Sequence, residues 1–431
     1  MKTSEQWRRE FELGKYDETL AFLYGGTAVL QQRRRYLALL ARFEREFGPR
    51  GVALISAPGR SEIGGNHTDH QRGRVIAAAA SLDMVAAVAE NDTGTVRIRS
   101  AGHRMITLRT EALSKRAAEQ GRSIALVRGV LARMRKYGVQ TGGFDAVIHS
   151  EVPRGAGLSS SAAFVILIGS AVNQLYAGGR FSPVELAKIG KYAENEYFGK
   201  PSGLLDQLAC ACGGFVALDF QDEEAPAVER IECDFSRLGL AVMIQNAGGS
   251  HAGLTDEYAA VTEEMRQVAA CFSKEVLSEV SEQAFFSRLS ALRRTVSDRA
   301  LLRAIHFFEE NGRVPEQAAA LRAGDAERFL RLVRASGRSS FELLQNVCPA
   351  NRDERGLALA LALTERFFSE YGFGQVGWAV RVHGGGFAGT IQTFAPLDAL
   401  AAYTAYMERV FGPGSCCRVR IRPAGGGSLS A

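Results

Sequence analysis

Residues 153–164 join a turn of small residues to a helix. They read Pro-Arg-Gly-Ala-Gly-Leu-Ser-Ser-Ser-Ala-Ala-Phe, and an apolar run continues to Tyr176. Such a turn places backbone N–H groups and hydroxyls at the positive end of the helix, where an anion such as phosphate binds well. A serine N-cap on a buried helix is the simpler alternative, but a cap needs one serine and no Gly-Ala-Gly. The segment therefore predicts an anion-binding loop, although it matches neither a Walker A loop nor the dinucleotide glycine pattern.

Composition limits the classes of protein that remain. The chain has 431 residues, 46% hydrophobic and 23% charged, which is typical of a soluble globular protein of roughly two or three domains. The net charge of +5 is small and mixed, so we expect no nucleic-acid or membrane partner. No apolar segment reaches membrane length, and the polar N-terminus predicts no signal peptide. Seven cysteines without a CxxC motif favour neither disulfides nor zinc, so we expect a cytoplasmic location.

Hydrophobic periodicity predicts an α+β protein in two halves, residues 1–235 and 236–431. The first half starts with a helical extension over about residues 1–50, and a turn is expected at 57–60. Strands are predicted at 52–56, 75–80, 83–89, 96–99, 144–149, 213–218 and 240–245. Helices are predicted at 162–176, 183–198 and over most of 256–333, and strands with a Gly-rich loop at 377–394. The Gly/Ser-rich tail, 424–431, is expected to fray.

The segment from Pro58 to Gln71 is dense in groups that hydrogen-bond hydroxyls. The carboxylate of Asp69 can accept bonds from two adjacent sugar hydroxyls, and Arg60 brings a fixed positive charge suited to a developing phosphate or alkoxide. A solvated loop whose Asp and Asn residues cap turns is the structural alternative. A metal site at His67, Asp69 and His70 has no further ligand spacing to support it.

Two carboxylates flank a Gly-Lys-Pro-Ser-Gly turn further along the chain. Glu194 precedes the turn and Asp206 follows it, so the turn can direct both towards one cleft. Phosphoryl transfer from a nucleotide needs a magnesium ligand and, often, a group that orients or deprotonates the attacking hydroxyl. Two carboxylates in different surroundings could divide those roles, although a solvated loop between helices is the alternative.

The run from Arg381 to Thr390 contains four glycines in six positions. This composition lets the backbone approach a ligand or another loop closely. Alone, the run could be a tight turn. Together with the loop at 153–164, it predicts the second wall of a nucleotide site.

These segments together resemble the GHMP small-molecule kinases, and the galactokinases most closely. Residues 58–71 are similar to the galactokinase signature, 155–161 to the phosphate loop, and 381–390 to the Gly-rich third motif. Residues 251–258, which end at Tyr258, and 336–346 also resemble family segments, so the likeness spans about residues 50–395. It implies a two-lobed α+β fold with its active site between the lobes. It also implies ATP-dependent phosphorylation of the anomeric C1 hydroxyl of galactose.

The resemblance assigns roles residue by residue. Asp206 would orient or deprotonate the hydroxyl, with Arg60 stabilising charge beside it, and Ser161 and Glu194 would hold Mg²⁺. The sugar would be contacted by Asn66, His67, Thr68, Asp69 and Tyr258. ATP would be bound by Gly155, Ala156, Gly157, Leu158, Ser159, Ser160 and Ser161, with Ser100 near the nucleotide.

One departure from the family leaves the sugar open. Galactokinases usually have Gly-Glu-His-Thr-Asp-Tyr where this chain has Gly-Asn-His-Thr-Asp-His, with Asn66 at the Glu position. The family's Glu accepts a hydrogen bond from the C6 hydroxyl, and Asn would tolerate a carboxylate there. Galacturonate, or another C6-modified galactose, is therefore the alternative substrate. A non-catalytic sugar sensor is the second alternative, and a monomer or weak homo-oligomer is expected in each case. A hydride-transferring enzyme is disfavoured because the dinucleotide fingerprint is missing.

Overall fold

Two β-sheets organise the computed structural model, which describes residues 1–153, 157–249, 254–351, 353–372 and 377–429. The first half contains β1 (Lys2–Thr3), α1 (Ser4–Glu12), α2 (Asp17–Tyr24), α3 (Val29–Phe47), β2 (Gly51–Gly64), β3 (Arg74–Asn91), β4 (Thr95–Ser100), β5 (Ile106–Arg109), α4 (Ser123–Lys136), β6 (Gly143–Ser150), α5 (Ser160–Tyr176), α6 (Pro183–Tyr192), α7 (Leu205–Cys212), β7 (Phe215–Asp219) and β8 (Ala227–Ile231). The second half contains β9 (Leu240–Gly248), α8 (Thr255–Ala270), α9 (Glu282–Ser287), α10 (Leu289–Leu292), α11 (Asp298–Ala323), α12 (Ala326–Ser339), α13 (Gly356–Tyr371), β10 (Ala379–Val382), β11 (Gly389–Pro396), α14 (Leu400–Phe411), β12 (Cys416–Val419) and β13 (Gly427–Ser428). The predicted α+β class is confirmed.

The first sheet has the strand order β1-β2-β3-β6-β4-β5, and β7, β8 and β13 pair at its sides. Only β4 and β6 run parallel to each other among the described pairs. Its central strand, β3, is buried over most of its length, because α5 and α7 pack on one face and the N-terminal helices pack on the other. Burial on both faces explains its near-continuous apolar sequence.

Two predictions about this sheet are wrong. The turn expected at 57–60 lies inside β2, and the two strands expected at 75–80 and 83–89 form the single strand β3. The register between β2 and β3 shifts between Pro58 and Arg60. Because Pro58 has no N–H to donate to the ladder, a β-bulge accommodates it while the strand continues on both sides.

The second sheet has the antiparallel order β10-β11-β9-β12. Helices α13 and α14 pack against it. The largest hydrophobic core joins this half to the first sheet, since it includes Ile63 and Val75 together with Val314, Phe329 and Phe394. The division of the chain at residue 235 stays a prediction.

The C-terminal tail packs on the first sheet, so the expectation that it frays is wrong up to residue 429. Gly427 pairs with Ser56 of β2, and Leu429 is buried. The guanidinium of Arg422 fixes the tail from within, because it donates to Asp83 at 2.6 Å and to Ser56 at 2.7 Å. Among the described helices, none combines the length and apolarity needed to cross a membrane.

Candidate active site

Arg60 and Asp206 form the centre of the site. Arg60 Nε donates to Asp206 Oδ1 at 2.6 Å, and Ser159 Oγ donates to the other carboxylate oxygen, also at 2.6 Å. The Arg60 guanidinium also donates to the carbonyl of Gly157. The structure therefore brings together two predicted catalytic residues and the predicted phosphate loop.

Local backbone geometry explains why these groups meet. Arg60 directly follows the bulge in β2 and pairs with Ala79 of β3, and the Arg60 N–H donates to the carbonyl of Leu158 at 3.1 Å. The backbones approach so closely that a Cβ on Gly59 would lie 2.7 Å from that same carbonyl oxygen. Asp206 lies in the first turn of α7, where the helix dipole favours a negative charge.

The charges around Asp206 keep it ionised. Burial raises the pKa of Asp206, but Arg60 and then Lys200 lower it, as does the hydrogen bond from Ser159. The balance places its pKa below the ordinary value of 3.8. Asp206 is therefore a carboxylate at neutral pH, able to accept a hydrogen bond or a proton.

The phosphate loop enters α5 through Ser159, which has a left-handed φ of 53°. The Ser159 side chain makes no capping bond to the helix, since it is bonded to Asp206, so the simple N-cap alternative does not account for this serine. Leu158 is buried and anchors the loop in the core. Two further residues of the predicted loop, Gly155 and Ala156, lie outside the described residues.

A cavity of about 290 Å³ opens above this arrangement. It is bounded by the phosphate loop, the turn before α7 and the Gly-rich third motif. Its lining consists of Arg60, Pro153, Gly157, Leu158, Ser159, Ser160, Ser161, Lys200, Asp206, His383, Gly384, Gly385, Gly386, Ala388 and Thr390. Arg60 of the segment 58–71, the phosphate loop and the third motif thus line one polar cavity. Ser100 is absent from this lining as far as the described residues show, and lies opposite Ile148 where β4 pairs with β6.

Glu194 lies beside this cavity and is completely buried. It belongs to a π-helical turn, Ala193–Phe198, that extends α6, and such turns recur at functional sites. Glu194 Oε2 accepts hydrogen bonds from Ser202 at 2.7 Å and from Gln207 at 2.9 Å. Glu194 Oε1 is buried with no hydrogen-bond partner. An orphaned carboxylate oxygen of this kind fits a site for a hard cation.

The residues predicted to bind sugar differ in their surroundings. Asp69 is partly exposed, and a Cβ on Gly203 would lie 3.3 Å from Asp69 Oδ2, so Asp69 faces the turn that leads to Asp206. The hydroxyl of Thr68, in contrast, is buried against the carbonyls of Gly65 and Arg74, and holds the turn.

Asn66 lies inside the protein with its amide fully bonded. Its Nδ2 donates to Glu62 at 3.0 Å and to the carbonyl of Gly384 at 2.8 Å. Its Oδ1 accepts from Asn346 at 2.8 Å and from Ser340 at 3.3 Å. The side chain is completely buried, so this geometry argues against the expected contact between Asn66 and a sugar C6 group.

The third motif connects the sugar signature to the second half of the chain. His67 Nε2 donates to the carbonyl of Gly385 at 2.9 Å, and the Tyr258 hydroxyl donates to the carbonyl of Gly386 at 2.8 Å. A Cβ on Gly385 would lie 2.6 Å from the Tyr258 ring, which explains the need for glycine. Burial, followed by the neighbouring His70, lowers the pKa of His67 to about 4, and burial raises that of Tyr258 to about 12, so both side chains are neutral at pH 7.

Several site residues were not identified from the sequence. His383 lines the cavity and lies 3.0 Å from Ser61 Oγ, and burial followed by Arg60 keeps its pKa far below the ordinary value. His306 and Glu310 of α11 bind the backbone of the sugar signature, through the carbonyl of Asn66 and the N–H of Gly65. Their spacing of four residues, which puts both on one face of the helix, was the available signal.

Family profiles match two parts of the chain. The profile described as the GHMP kinases N terminal domain matches residues 125–214, which contain the phosphate loop and Asp206. The profile described as the galactokinase galactose-binding signature matches residues 41–90.

Individual relatives extend the likeness. A galactokinase from Lacticaseibacillus casei is 30% identical over 300 residues, which are 68% of this chain and 76% of the relative. The crystal structure of Lactococcus lactis galactokinase complexed with galactose matches with a TM-score of 0.77 and 24% identity, over 92% of this chain and 100% of that one. Mevalonate kinase from Methanococcus jannaschii matches with a TM-score of 0.59 and 16% identity, over 86% and 98% of the two chains.

The α+β fold and the cavity between its three motifs define a GHMP kinase. Within that superfamily, the chain belongs to the galactokinase family. It is therefore a sugar kinase, a phosphotransferase for which ATP is a substrate.

Proposed function

We propose that this protein transfers the γ-phosphoryl group of ATP to the C1 hydroxyl of galactose. The observation that carries the proposal is the ionised carboxylate of Asp206, bonded to Arg60 and to Ser159 of the phosphate loop. In this proposal, Asp206 is the hydrogen-bond acceptor for the sugar hydroxyl, and it lies beside the loop proposed to bind phosphate. The reaction needs little more than such positioning and charge stabilisation.

Asp206 receives the hydroxyl hydrogen during transfer. The C1 oxygen forms a bond to the γ-phosphorus while the bond from phosphorus to the leaving ADP oxygen breaks. Because its pKa is held low, Asp206 is a weak base, so its main contribution is to orient the hydroxyl until the proton is lost late in the reaction. Arg60 keeps the carboxylate in position and offers positive charge to the transferred group.

The phosphate loop supplies the second half of the site. Ser160 and Ser161 begin α5, so their hydroxyls and the N–H groups of the first helical turn face the cavity beside the positive end of the helix. These donors suit the β- and γ-phosphates of ATP. Gly157 allows His383 to approach, since a Cβ there would lie 2.8 Å from the imidazole.

The residues present fit Mg²⁺. Glu194, through its unpartnered Oε1, and Ser161 would hold the ion, with Glu194 buried against Ser202 and Gln207. When bound, Mg²⁺ neutralises phosphate charge and fixes the geometry of the nucleotide. Glu194 and Ser161 are held on rigid elements, the π-helical turn and the start of α5.

As the acceptor sugar, galactose is favoured over galacturonate, which carries a carboxylate at C6. A contact between Asn66 and C6, one ground for galacturonate, is disfavoured because Asn66 is enclosed by its protein partners. Two of the residues predicted to contact the sugar, Asp69 and His67, suit neutral hydroxyls, because Asp69 accepts hydrogen bonds and would repel a second carboxylate. Tyr258 completes this side of the site.

ADP release tests the proposal. The protein is incubated with ATP, Mg²⁺ and one of galactose, galacturonate, fucose or N-acetylgalactosamine, beside the Asp206→Asn variant. ADP should form fastest with galactose and should require Asp206. Tight sugar binding without ADP formation from any sugar would instead identify a sugar sensor.

We also propose a cytoplasmic enzyme that acts as a monomer or weak homo-oligomer, without nucleic-acid or membrane partners. The small net charge of +5, with basic and acidic residues interspersed, supports the lack of nucleic-acid and membrane partners. The seven cysteines, all of which are free thiols, support the cytoplasmic location. Light scattering at several concentrations tests the assembly state, and an obligate higher oligomer would contradict this part.

A further inference from the structure

Lys200 lies in the cavity wall between the two carboxylates of the site. Its ammonium Nζ is 3.7 Å from Glu194 Oε2, and its charge is the second largest attraction that lowers the pKa of Asp206. The side chain is 46% exposed, whereas that of Glu194 is fully buried. The exposed part faces the cavity that Ser160 and Ser161 also line.

The backbone of Lys200 is held by hydrogen bonds, whereas its side chain is half-exposed. The N–H groups of Gly199 and Lys200 both donate to the carbonyl of Glu194, at 2.9 and 3.1 Å. Gly199 adopts a left-handed φ of 85°, and Pro201 restricts the conformation of the residue before it. A flexible four-carbon side chain therefore starts from a rigid point at the cavity wall.

The contact with Glu194 is too weak to be the whole role of Lys200. At 3.7 Å it is longer than a hydrogen bond, and Glu194 Oε2 already accepts bonds from Ser202 and Gln207. A half-exposed lysine gains little from such a pair. The ammonium can leave Glu194 whenever a stronger anion enters the cavity.

Arg60 is less free to turn towards that anion, because two of its five N–H donors already hold it in place. Its Nε is bonded to Asp206 and one terminal nitrogen to the carbonyl of Gly157. Among the described residues that line the cavity, Arg60 and Lys200 are the two with a permanent positive charge, since His383 is neutral. Lys200 is thus the cation that can turn several N–H donors towards a phosphoryl group.

We propose that Lys200 is a further catalytic residue, whose ammonium leaves Glu194 and binds the phosphoryl group in transfer. This inference rests on the proposed function. The sugar oxygen bonds to phosphorus, the bond from phosphorus to ADP breaks, and the hydroxyl proton goes to Asp206. Lys200 keeps its proton and donates N–H bonds to the non-bridging oxygens, where negative charge is concentrated.

Substitution by methionine removes the charge and keeps the shape of the side chain. We expect Lys200→Met to lower kcat by about 100-fold, as for the loss of one donor to the charge of the transition state, with the KM for sugar changed by less than about threefold. Lys200→Arg should retain at least about a tenth of the wild-type kcat, because the charge remains. Lys274→Met, which removes an exposed lysine in the second half, is the matched control and should behave as wild type. A kcat for Lys200→Met within about threefold of wild type would overturn the proposal.

Nucleotide binding provides a readout that does not depend on turnover. Calorimetry compares ADP with a non-hydrolysable ATP analogue, each with Mg²⁺ and with EDTA. Lys200→Met should weaken binding of the analogue by about 10-fold or more and leave ADP affinity unchanged, because only the analogue carries a γ-phosphate. Equal affinities for wild type and variant, or equal losses for both nucleotides, would overturn the role of Lys200. If the wild type forms no ADP with any of the four sugars, the proposed function fails. This comparison of nucleotide binding would still decide the role of Lys200.

Discussion

Arg60 Nε donates to Asp206 Oδ1 at 2.6 Å, although the two residues are 146 positions apart. The bond joins the bulge in β2 to the first turn of α7, and Ser159 of the phosphate loop holds the other carboxylate oxygen. Asp206 is therefore oriented and ionised before any substrate enters. The carboxylate proposed to act in catalysis and the loop proposed to bind phosphate thus form one hydrogen-bonded unit.

Replacing Asp206 tests that unit. Asp206→Asn preserves the shape of the side chain but removes the charge that accepts the hydroxyl hydrogen, so kcat should fall by about 10³-fold or more while sugar affinity changes little. Steady-state kinetics and calorimetry with sugar provide the two measurements. Asp219→Asn, at a partly exposed ion pair with Arg74, is the control and should keep full activity. Near-normal turnover by Asp206→Asn would remove Asp206 from the mechanism.

A methyl group on Gly157 should disturb the phosphate loop. Gly157 has φ of 68°, and a Cβ there would lie 2.8 Å from His383 and 3.1 Å from Thr390. Gly157→Ala should raise the KM for ATP by about 10-fold or more, because both backbone strain and a clash displace the loop.

Gly178→Ala is a matched control for Gly157→Ala. Gly178 has a similar φ of 61°, but a Cβ there meets nothing within 4 Å. It should lower the free energy of unfolding by about 1–2 kcal/mol and leave the KM for ATP unchanged. Equal kinetic effects of the two substitutions would show that strain alone, and not the contact with His383, determines the result.

Position 66 should not accept a carboxylate side chain. In Asn66→Asp, an oxygen would replace the Nδ2 that now donates to Glu62 at 3.0 Å and to the Gly384 carbonyl at 2.8 Å. Two buried carboxylates would then face each other, so the free energy of unfolding should fall by about 3–5 kcal/mol in urea titrations. Adding Glu62→Gln should recover part of this loss, because Gln can donate. An Asn66→Asp variant of normal stability with an altered preference between galactose and galacturonate would place Asn66 at the sugar instead.

Glu310 predicts a pH dependence of stability. Burial raises the pKa of Glu310, but Arg313 and His306 outweigh it, so the pKa is about 2 instead of 4.5. Because the folded-state value is depressed, Glu310 stabilises the protein fully above pH 4.5, and this contribution is lost as the pH falls towards 2. The contribution amounts to roughly 3 kcal/mol.

Unfolding titrations at several pH values measure the contribution of Glu310 to the free energy of unfolding. Glu310→Gln should be less stable than wild type at neutral pH. It should also lose less stability than wild type as the pH falls from 4.5 towards 2. Glu309→Gln, which removes the more exposed carboxylate that also pairs with Arg313, should reproduce the wild-type profile. Parallel profiles for wild type and Glu310→Gln would contradict the assigned pKa.

Local sequence motifs predicted which segments meet at the candidate site, but not the contacts that surround it. The loop at 153–164, Arg60 and Asp206 could be proposed as candidates because each lies in a short segment with a characteristic composition. The continuity of β2 and β3 was missed because pairing between long strands overrides the local turn signal of Pro58 and Gly59. The sequence provides no comparable local signal for interactions made across the fold.

The burial of Asn66 is the clearest case of such an interaction. Its amide partners Gly384 and Asn346 are more than 270 positions away, so no window around residue 66 contains them. Its loop has the composition of a solvated, ligand-binding segment. The order of the C-terminal tail could not be predicted for the same reason, because Arg422 contacts Asp83 and Ser56 only in the folded sheet.

The position of the transferred phosphoryl group tests the central claim most directly. The wild-type protein is incubated with galactose, ATP and Mg²⁺, and the product is examined by ³¹P and ¹H nuclear magnetic resonance. The account predicts one sugar phosphate in which phosphorus is coupled to the anomeric hydrogen, formed in equal amount to ADP. A phosphate on any other carbon, or no sugar phosphate from galactose, would contradict it.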